Sequence, residues 1–226
     1  MKEIVPDIHL VEGLRAAHAY LLVSDEGHVL LDTGTPGEAD RIEREIEEGG
    51  FSLSDVKTIV LTHAHNDHVG SAAELARRSG AQVLAHEDEV PYIEQAAPLP
   101  FNTVPKRLFS WLGDRLIPAK PCLVDQVLKD GDSIDALGGL QVIHAPGHTP
   151  GCIALYQPGR RILFLGDVLF HRREGPGLAP GIVSVDVEEA EASARKVAAL
   201  PTEVACFGHG EPIVEGAGER LRAAVC

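Results

Sequence analysis

Residues 62–70 read Thr62-His63-Ala64-His65-Asn66-Asp67-His68-Val69-Gly70, directly after the apolar run Thr58-Ile59-Val60-Leu61. A short β-branched run of this kind suits a strand buried on both faces. Three imidazoles and one carboxylate therefore stand where a core strand stops. In extended chain, alternate side chains share a face. His63, His65 and Asp67 converge on one side, and His68 swings round as the backbone turns into a helix predicted over Ser71–Ser79 and ended by Gly80. Imidazole nitrogen and carboxylate oxygen are ligands that divalent zinc, iron and manganese accept. The bland alternative is a solvated polar loop, and this density of ligands at the end of a buried strand argues against it.

Three further strand ends share that logic. Pro146-Gly147-His148-Thr149-Pro150-Gly151 presents one histidine from a rigid turn, Gly166-Asp167 follows the strand Ile162–Leu165, and Gly208-His209-Gly210 follows the strand Glu203–Phe207. Singly, each is an ordinary turn residue beside glycine. Together they supply His148, Asp167 and His209, which complete two metal sites with His63, His65, Asp67 and His68.

Around these points the chain alternates strands and helices. Ala19–Val23 and His28–Asp32 form a hairpin across Ser24-Asp25-Glu26-Gly27, and Ile153–Tyr156 pairs with Arg161–Leu165 across Gln157-Pro158-Gly159. Thr35 reads as an N-cap, with Pro36 in the first helical position and Glu38 closing a capping box, for a helix ending at Gly49-Gly50. Strands are predicted over Gln82–Ala85 and Leu140–His144, a loop over Gly175–Gly181, and helices over Val187–Leu200, capped by Asp186, and Glu215–Val225. Both hairpins end in an acid, Asp32 and Asp167, which suggests two related halves closing into a four-layer sandwich. Residues 87–122 differ: six prolines alternate with Tyr92, Phe101, Phe109 and Trp111, around one short helix near Lys106–Leu116. This insertion is either a self-packed surface loop or a lid over the site.

With seven ligand residues in this order, the chain resembles the metallo-β-lactamase-fold superfamily, in its glyoxalase II and lactonase-like branch. The family's HxHxDH motif matches His63 to His68, and its later His, Asp and His match His148, Asp167 and His209. The resemblance implies an α+β fold, an αββα four-layer sandwich, in one domain over residues 1–226 with the segment 87–122 inserted. It implies that His63, His65 and His148 bind one metal and Asp67, His68 and His209 a second. Asp167 then bridges them, Asp67 counts as catalytic, and Asp32 either orients a ligand loop or caps a turn. The cofactors it implies are two divalent metal ions, zinc first, with iron or manganese as alternatives. A metal-bridged hydroxide then attacks a thioester, lactone or related ester. No Ser or Cys nucleophile is needed, so Cys152 and Cys206 read as core residues.

Departures from the family's patterns narrow the choice. Asp167 stands where true β-lactamases of this fold carry Cys or Ser. Only seventeen residues follow His209, too few for the helical segment with which glyoxalase II grips glutathione. Phe170 occupies the place of the tyrosine found three residues after the bridging acid in acyl-homoserine lactonases. The alternatives are a mononuclear iron persulfide dioxygenase using His63, His148 and Asp167, or a β-lactamase-like amide hydrolase.

Composition sets outer bounds. Twenty Lys and Arg against 34 Asp and Glu give a net charge of −14, which disfavours nucleic acid and anionic membranes as partners and leaves a small-molecule substrate. The N-terminus lacks the apolar core of a signal peptide, and the four cysteines form no CxxC pair, so a cytoplasmic protein with reduced thiols is expected. Beyond Asp167, His171, Arg172 and Arg173 either meet an anionic substrate group or form a solvated turn. The aromatic residues of the insertion would suit an apolar acyl chain if that segment folds over the metals.

Overall fold

Strand residues in this chain alternate between two different cores, and the alternation builds the layers. In the computed structural model, which describes residues 1–225, the chain opens with β1 (Lys2–Val5), β2 (Ile8–Leu10), β3 (Tyr20–Leu22) and β4 (His28–Leu31). Then α1 (Ala39–Glu48) leads to β5 (Val56–Val60), and α2 (Asn66–Val69) and α3 (Ala72–Ser79) lead to β6 (Gln82–His86). The helices α4 (Val90–Ile93) and α5 (Val104–Leu116) precede β7 (Gln126–Leu128). These seven strands lie in one sheet in chain order, antiparallel as far as β4 and parallel beyond it.

The second half repeats the plan on a smaller scale. Its elements are β8 (Ser133–Ile134), β9 (Leu140–His144), β10 (Ile153–Gln157), β11 (Ile162–Phe164), the ribbon of β12 (Phe170–Arg172) with β13 (Gly175–Gly177), α6 (Val187–Ala198), β14 (Val204–Cys206) and α7 (Ala217–Ala224). Five of these strands make a sheet ordered β14-β11-β10-β9-β8, in which β14 runs parallel to β11 and the rest are antiparallel.

Successive strand side chains point to opposite faces, and burial follows that rule. Leu21, Leu30 and Ile59 face Ile42, Ile46 and Leu75 of α1 and α3, whereas Leu22, Leu31 and Val60 face the other sheet. On that sheet Leu155, Phe164 and Cys206 meet them, and Ala154, Leu163 and Ala205 turn outward under α6 and α7. The result is the expected αββα sandwich with three apolar seams, and neither sheet leaves a broad face to water. Cys152, one residue before β10, and Cys206 are buried in these seams, and burial raises both thiols. Cys122 is likewise a buried free thiol, and Cys226 lies outside the described residues.

The structure corrects several details of the sequence reading. The first helix starts at Ala39 rather than at Pro36. Half of the expected capping box forms, with Glu38 Oε2 accepting the Thr35 N–H at 2.7 Å, but Thr35 Oγ1 is buried without a partner, so it caps nothing. The other Glu38 oxygen accepts the Arg15 N–H at 2.7 Å, so this carboxylate ties the segment to the chain before β3 as well. The insertion holds two helices rather than one, and the loop after residue 174 contains β13. The strands β1, β2, β7, β8 and β12 went unread; they are short, and β1, β7 and β8 stand at sheet edges. Asp186 does cap α6, its Oδ1 accepting the Glu189 N–H at 3.0 Å.

One backbone approach fixes the smaller sheet's helix against the loop that carries His148. Gly147 has φ +118°, and a Cβ there would overlap the backbone of Ala190 in the first turn of α6. The same contact is held by the Asp186 N–H donating to the Gly147 carbonyl at 2.8 Å. Gly147→Ala is expected to lower unfolding free energy by about 3 kcal/mol or more, through strain and steric overlap together. Chemical denaturation measures this, and an unchanged midpoint would contradict the packing described here.

Candidate metal centre

Five loops converge at one edge of the sandwich, because parallel strands in both sheets end there. β5 runs into the loop with His63, His65, Asp67 and His68; β9 leads to His148, β11 to Asp167 and β14 to His209; β4 stops just before Asp32. Backbone bonds tie the loops together, across the two sheets and within the smaller one. The Ile153 N–H donates to the Thr62 carbonyl at 3.0 Å, and the Gly208 N–H donates to Gly166 at 2.8 Å. A Cβ on Gly208 would intrude between Asp167 and His68, so glycine is what allows β14 to bring His209 this close.

All seven residues singled out in the sequence meet here, in two groups. His63, His65, His148 and Asp167 form one, and Asp67, His68 and His209 the other, with ligand atoms in each group within 4.8 Å of one another. His65 Nδ1 lies 3.1 Å from His63 Nε2 and 2.9 Å from His148 Nε2. Such spacings are close to the edge of a tetrahedron with zinc–nitrogen arms, about 3.3 Å. Asp167 Oδ2 is 3.3 Å from His148 Nε2 and 3.4 Å from His209 Nε2, so one oxygen faces both groups. Asp67 Oδ2 is 3.3 Å from His209 Nε2, and His68 Nε2 is 3.4 Å from the same atom.

The surrounding hydrogen bonds set which nitrogens are free to ligate. Asp32 Oδ1 accepts the Thr62 N–H, and Oδ2 accepts both the Thr62 hydroxyl and His68 Nδ1–H, each at 2.8 Å. With its proton committed to Asp32, Thr62 Oγ1 accepts His63 Nδ1–H at 3.1 Å. Ser184 Oγ donates to the Pro180 carbonyl at 3.4 Å and accepts His148 Nδ1–H at 3.3 Å. In all three rings the outer nitrogen donates, which leaves Nε2 as the atom that faces inward. Asp32 thus orients ligands rather than capping a turn.

A cation fits this donor set. Imidazole lone pairs about 3 Å apart repel unless a proton or metal lies between them. Asp167 Oδ1 is buried with no hydrogen bond, although His68 Nε2 is 3.2 Å away. Burial drives His63 well below the usual imidazole range and takes His65 down to about 3, reinforced by His68 and His148 respectively. Burial opposes the charge on Asp67 and Asp167, but His209 and His68 hold Asp67 down at about 2, and His68 foremost holds Asp167 well below the usual carboxylate range. Burial opposes charge on His68 and His209 as well, but Asp167 and Asp32 raise His68 well above the usual imidazole range, and Asp167 and Asp67 raise His209 to about 9. The edge thus pairs the neutral rings of His63 and His65 with ionised carboxylates whose charge is met by protons on His68 and His209, protons that a bound cation would replace.

A cavity of about 400 Å³ opens onto this edge. His65, Asp67, Asp167 and His209 lie along it, and Phe101, Phe109, Ile117, Phe170, Pro180 and Val183 give it apolar walls, with no lysine or arginine among the lining residues. Of the four aromatics of the insertion, Phe101 and Phe109 face the cavity, Trp111 is 57% exposed, and Tyr92 lines a separate hollow. The segment is pinned at both ends. Lys106 Nζ donates to the Ser184 carbonyl at 2.7 Å, and Asn66 Nδ2 donates to Asp114 Oδ1 and the Ile117 carbonyl, each at 3.0 Å. His171 and Arg172 belong to β12 rather than to a turn; His171 meets the Glu211 carbonyl and Arg172 the Leu178 carbonyl, and neither is among the residues that line the cavity.

Glu89 is the site residue that sequence reading missed, hidden in the run Glu87-Asp88-Glu89 that resembles a charged surface. It is fully buried, accepting the Ala64 N–H at 2.7 Å through Oε2 and the Gly151 N–H at 2.6 Å through Oε1. One carboxylate thus splints the loop of His63 and His65 to the loop of His148.

A family model described as the metallo-β-lactamase superfamily matches residues 13–209. The chain is 32% identical over 226 residues to the probable metallo-hydrolase YflN of Bacillus subtilis, covering 90% of this chain and 84% of that protein. It is 31% identical over 153 residues to the hydroxyacylglutathione hydrolase GloC of Haemophilus influenzae, covering 66% of this chain and 65% of that one. Among solved structures it superposes on a metallo-β-lactamase family protein from Thermus thermophilus with TM-score 0.75, at 27% identity over 97% of this chain and 79% of the other. A subclass B3 metallo-β-lactamase of Bradyrhizobium japonicum gives TM-score 0.74, at 26% identity over 99% of this chain and 88% of that one.

Burial pushes Glu89 up to about 7. A raised carboxyl pKa stabilises the fold fully below the unfolded value, and that contribution is lost as pH rises through the folded value. The unfolding free energy of the wild type should therefore fall, relative to Glu89→Gln, between about pH 4.5 and pH 7. At pH 8 Glu89→Gln should itself cost about 1–3 kcal/mol, because one backbone N–H loses its acceptor. Denaturant titrations across that range test both statements, and parallel pH profiles for the two proteins would refute the first.

Proposed function

The chain belongs to the metallo-β-lactamase superfamily and is a metal-dependent hydrolase, and from that premise we propose that it is a dinuclear enzyme cleaving a thioester, lactone or related ester with an apolar acyl part. The observation that carries this reading is Asp167 Oδ2, placed 3.3 Å and 3.4 Å from a ligand nitrogen of each group. In this reading His63, His65 and His148 hold one divalent ion, Asp67, His68 and His209 hold the other, and Asp167 serves both. Zinc suits the mixed imidazole and carboxylate set, with iron or manganese as alternatives. When bound, such a pair supplies a water acidified to near-neutral pKa and a Lewis acid for the substrate carbonyl.

The protein's own groups supply the rest. Asp67 stays ionised and borders the cavity, so its carboxylate can both ligate and accept a hydrogen bond from the attacking water. Asp32 keeps His68 and, through Thr62, His63 in the ligating tautomer. The segment 87–122 acts as a lid: α5, held at Lys106 and Asp114, lays Phe109 and Ile117 along the cavity wall and shields the edge from water. A wall of Phe101, Phe109, Ile117, Phe170 and Val183 fits a hydrocarbon group, and no fixed side-chain cation is there to receive a carboxylate. That composition favours an uncharged apolar acyl group over a glutathione-like or β-lactam-like anion. No helix of the described residues is long and apolar enough to cross a membrane.

Two experiments test the reading. Asp67→Ala and His148→Ala should each lower bound metal by elemental analysis and cut kcat at least about a hundredfold; full activity in either would sink the assignment. A panel of thioester, lactone, phosphodiester, β-lactam and persulfide substrates then separates the classes, with two zinc ions and ester cleavage expected. One iron with oxygen uptake would replace this reading with a persulfide dioxygenase. For the lid, Phe109→Ala and Ile117→Ala should reduce kcat/KM for long acyl substrates over acetyl ones roughly tenfold or more, with metal content unchanged. Equal kinetics across acyl lengths would remove the lid and the apolar subsite together.

A further inference from the structure

A second set of metal-type ligands lies outside the seven residues above, on the other side of Glu89. β6 ends in His86 and β9 in His144, one strand from each sheet. The two imidazoles lie face to face, with centroids 4.0 Å apart and 10° between ring planes, so one ring turns about its Cβ–Cγ bond for both lone pairs to meet a single ion. Asp88 stands two residues beyond His86, and the ligand atoms of His86, Asp88 and His144 all lie within 4.8 Å of one another.

The chemistry of the three groups is that of a ligand set. His144 Nε2–H donates to the Pro150 carbonyl at 3.0 Å, which fixes the tautomer and leaves Nδ1 with a free lone pair. His86 Nδ1 faces Asp88 Oδ2 at 3.6 Å, and the bond it accepts from the Asp88 N–H is long, 3.3 Å. Burial first, then the neighbouring His144 ring, lowers the pKa of His86, so at neutral pH the ring carries no proton that a cation must displace. The Asp88 side chain is 56% exposed whereas that of His86 is 4% exposed, so the cluster joins a rigid anchor to an open face where waters can complete the shell. Neighbouring cations are already committed: Lys129 pairs with Glu87 at 3.3 Å and Lys196 with Asp130 at 3.2 Å.

We propose that His86, Asp88 and His144 form a further site for a divalent transition metal of the zinc type, separate from the pair centred on Asp167. Two imidazoles and one carboxylate select such borderline cations over calcium or magnesium, which prefer all-oxygen shells. The site also touches both loops of the main centre. Glu89 follows Asp88 and binds the Ala64 and Gly151 N–H groups, while His144 holds the Pro150 carbonyl. A cation here clamps the loop of His63 and His65 and the loop of His148 from behind.

The test is a count of bound zinc in the full chain, stripped with a chelator and titrated by equilibrium dialysis with elemental analysis. His86→Gln/His144→Gln should bind one zinc fewer per chain than the wild type. The same loss of one equivalent should appear when the pair is placed on a His148→Ala/Asp167→Asn background, so the result does not depend on how many ions the main centre holds. Asp88→Asn, at an exposed position that does not threaten folding, should weaken that equivalent at least tenfold. Equal zinc counts for wild type and His86→Gln/His144→Gln, or an unchanged affinity in Asp88→Asn, would overturn the proposal.

Discussion

The carboxylate of Asp32 holds the metal edge in register. It is 2% exposed and accepts three hydrogen bonds, from the Thr62 backbone, the Thr62 hydroxyl and His68 Nδ1. Removing an ionised carboxylate from water costs several kcal/mol unless its lone pairs are filled, and these three donors fill them. All three come from the loop after β5, so the penalty is met only when β4 and β5 lie side by side with their ends level. Asp32 itself sits at φ +57°, a strained conformation for a non-glycine residue that the surrounding bonds maintain. His63, His68, His148 and Asp167 share its burial, each at most 2% exposed. Five ionisable groups in one dry edge are tolerable because each is oriented by another, and a shared cation is the partner that suits the set.

From that constraint the rest of the architecture follows. The two sheets must end at the same edge to pool ligands from β5, β9, β11 and β14, and the apolar seam between them, built from residues such as Leu31, Val60, Leu155 and Phe164, sets their relative position. Glu89 adds a direct tie across the layers, a buried carboxylate shared by a loop of each sheet. Gly147 and Gly208 mark where backbone comes too close for any side chain. α5 buries no residue of its own and meets the metal edge through Asn66 and Lys106, so its apolar side chains can vary without disturbing the ligands.

Much of this was legible in the chain. The motif over His63–His68 stands at the end of a strand whose β-branched composition announces burial, and His148, Asp167 and His209 each follow a strand and sit beside glycine. Element ends marked by side-chain chemistry were readable too, such as Gly80 in the left-handed region after α3 and Asp186 capping α6. The edge strand β1 was not readable, because it is exposed along half its length and carries no clean alternation. The start of α1 was misread, and Glu38 before it answers to Arg15, a partner over twenty residues away, as well as to Thr35. Glu89 carried no signal, since an acid among acids reads as surface until the fold encloses it.

By itself, the sequence determined which imidazoles and carboxylates stand where core strands end, because periodicity and residue type are local properties of the chain. What only the tertiary structure decided is who meets whom. Asp167 faces both histidine groups, Asp32 serves His68 and Thr62, Phe109 turns to the cavity while Trp111 turns to water, and His86 stacks on His144 from the opposite sheet. Those pairings span dozens of residues and depend on the register in which two sheets pack, a quantity set by the fit of three buried seams and written in no single stretch of the chain.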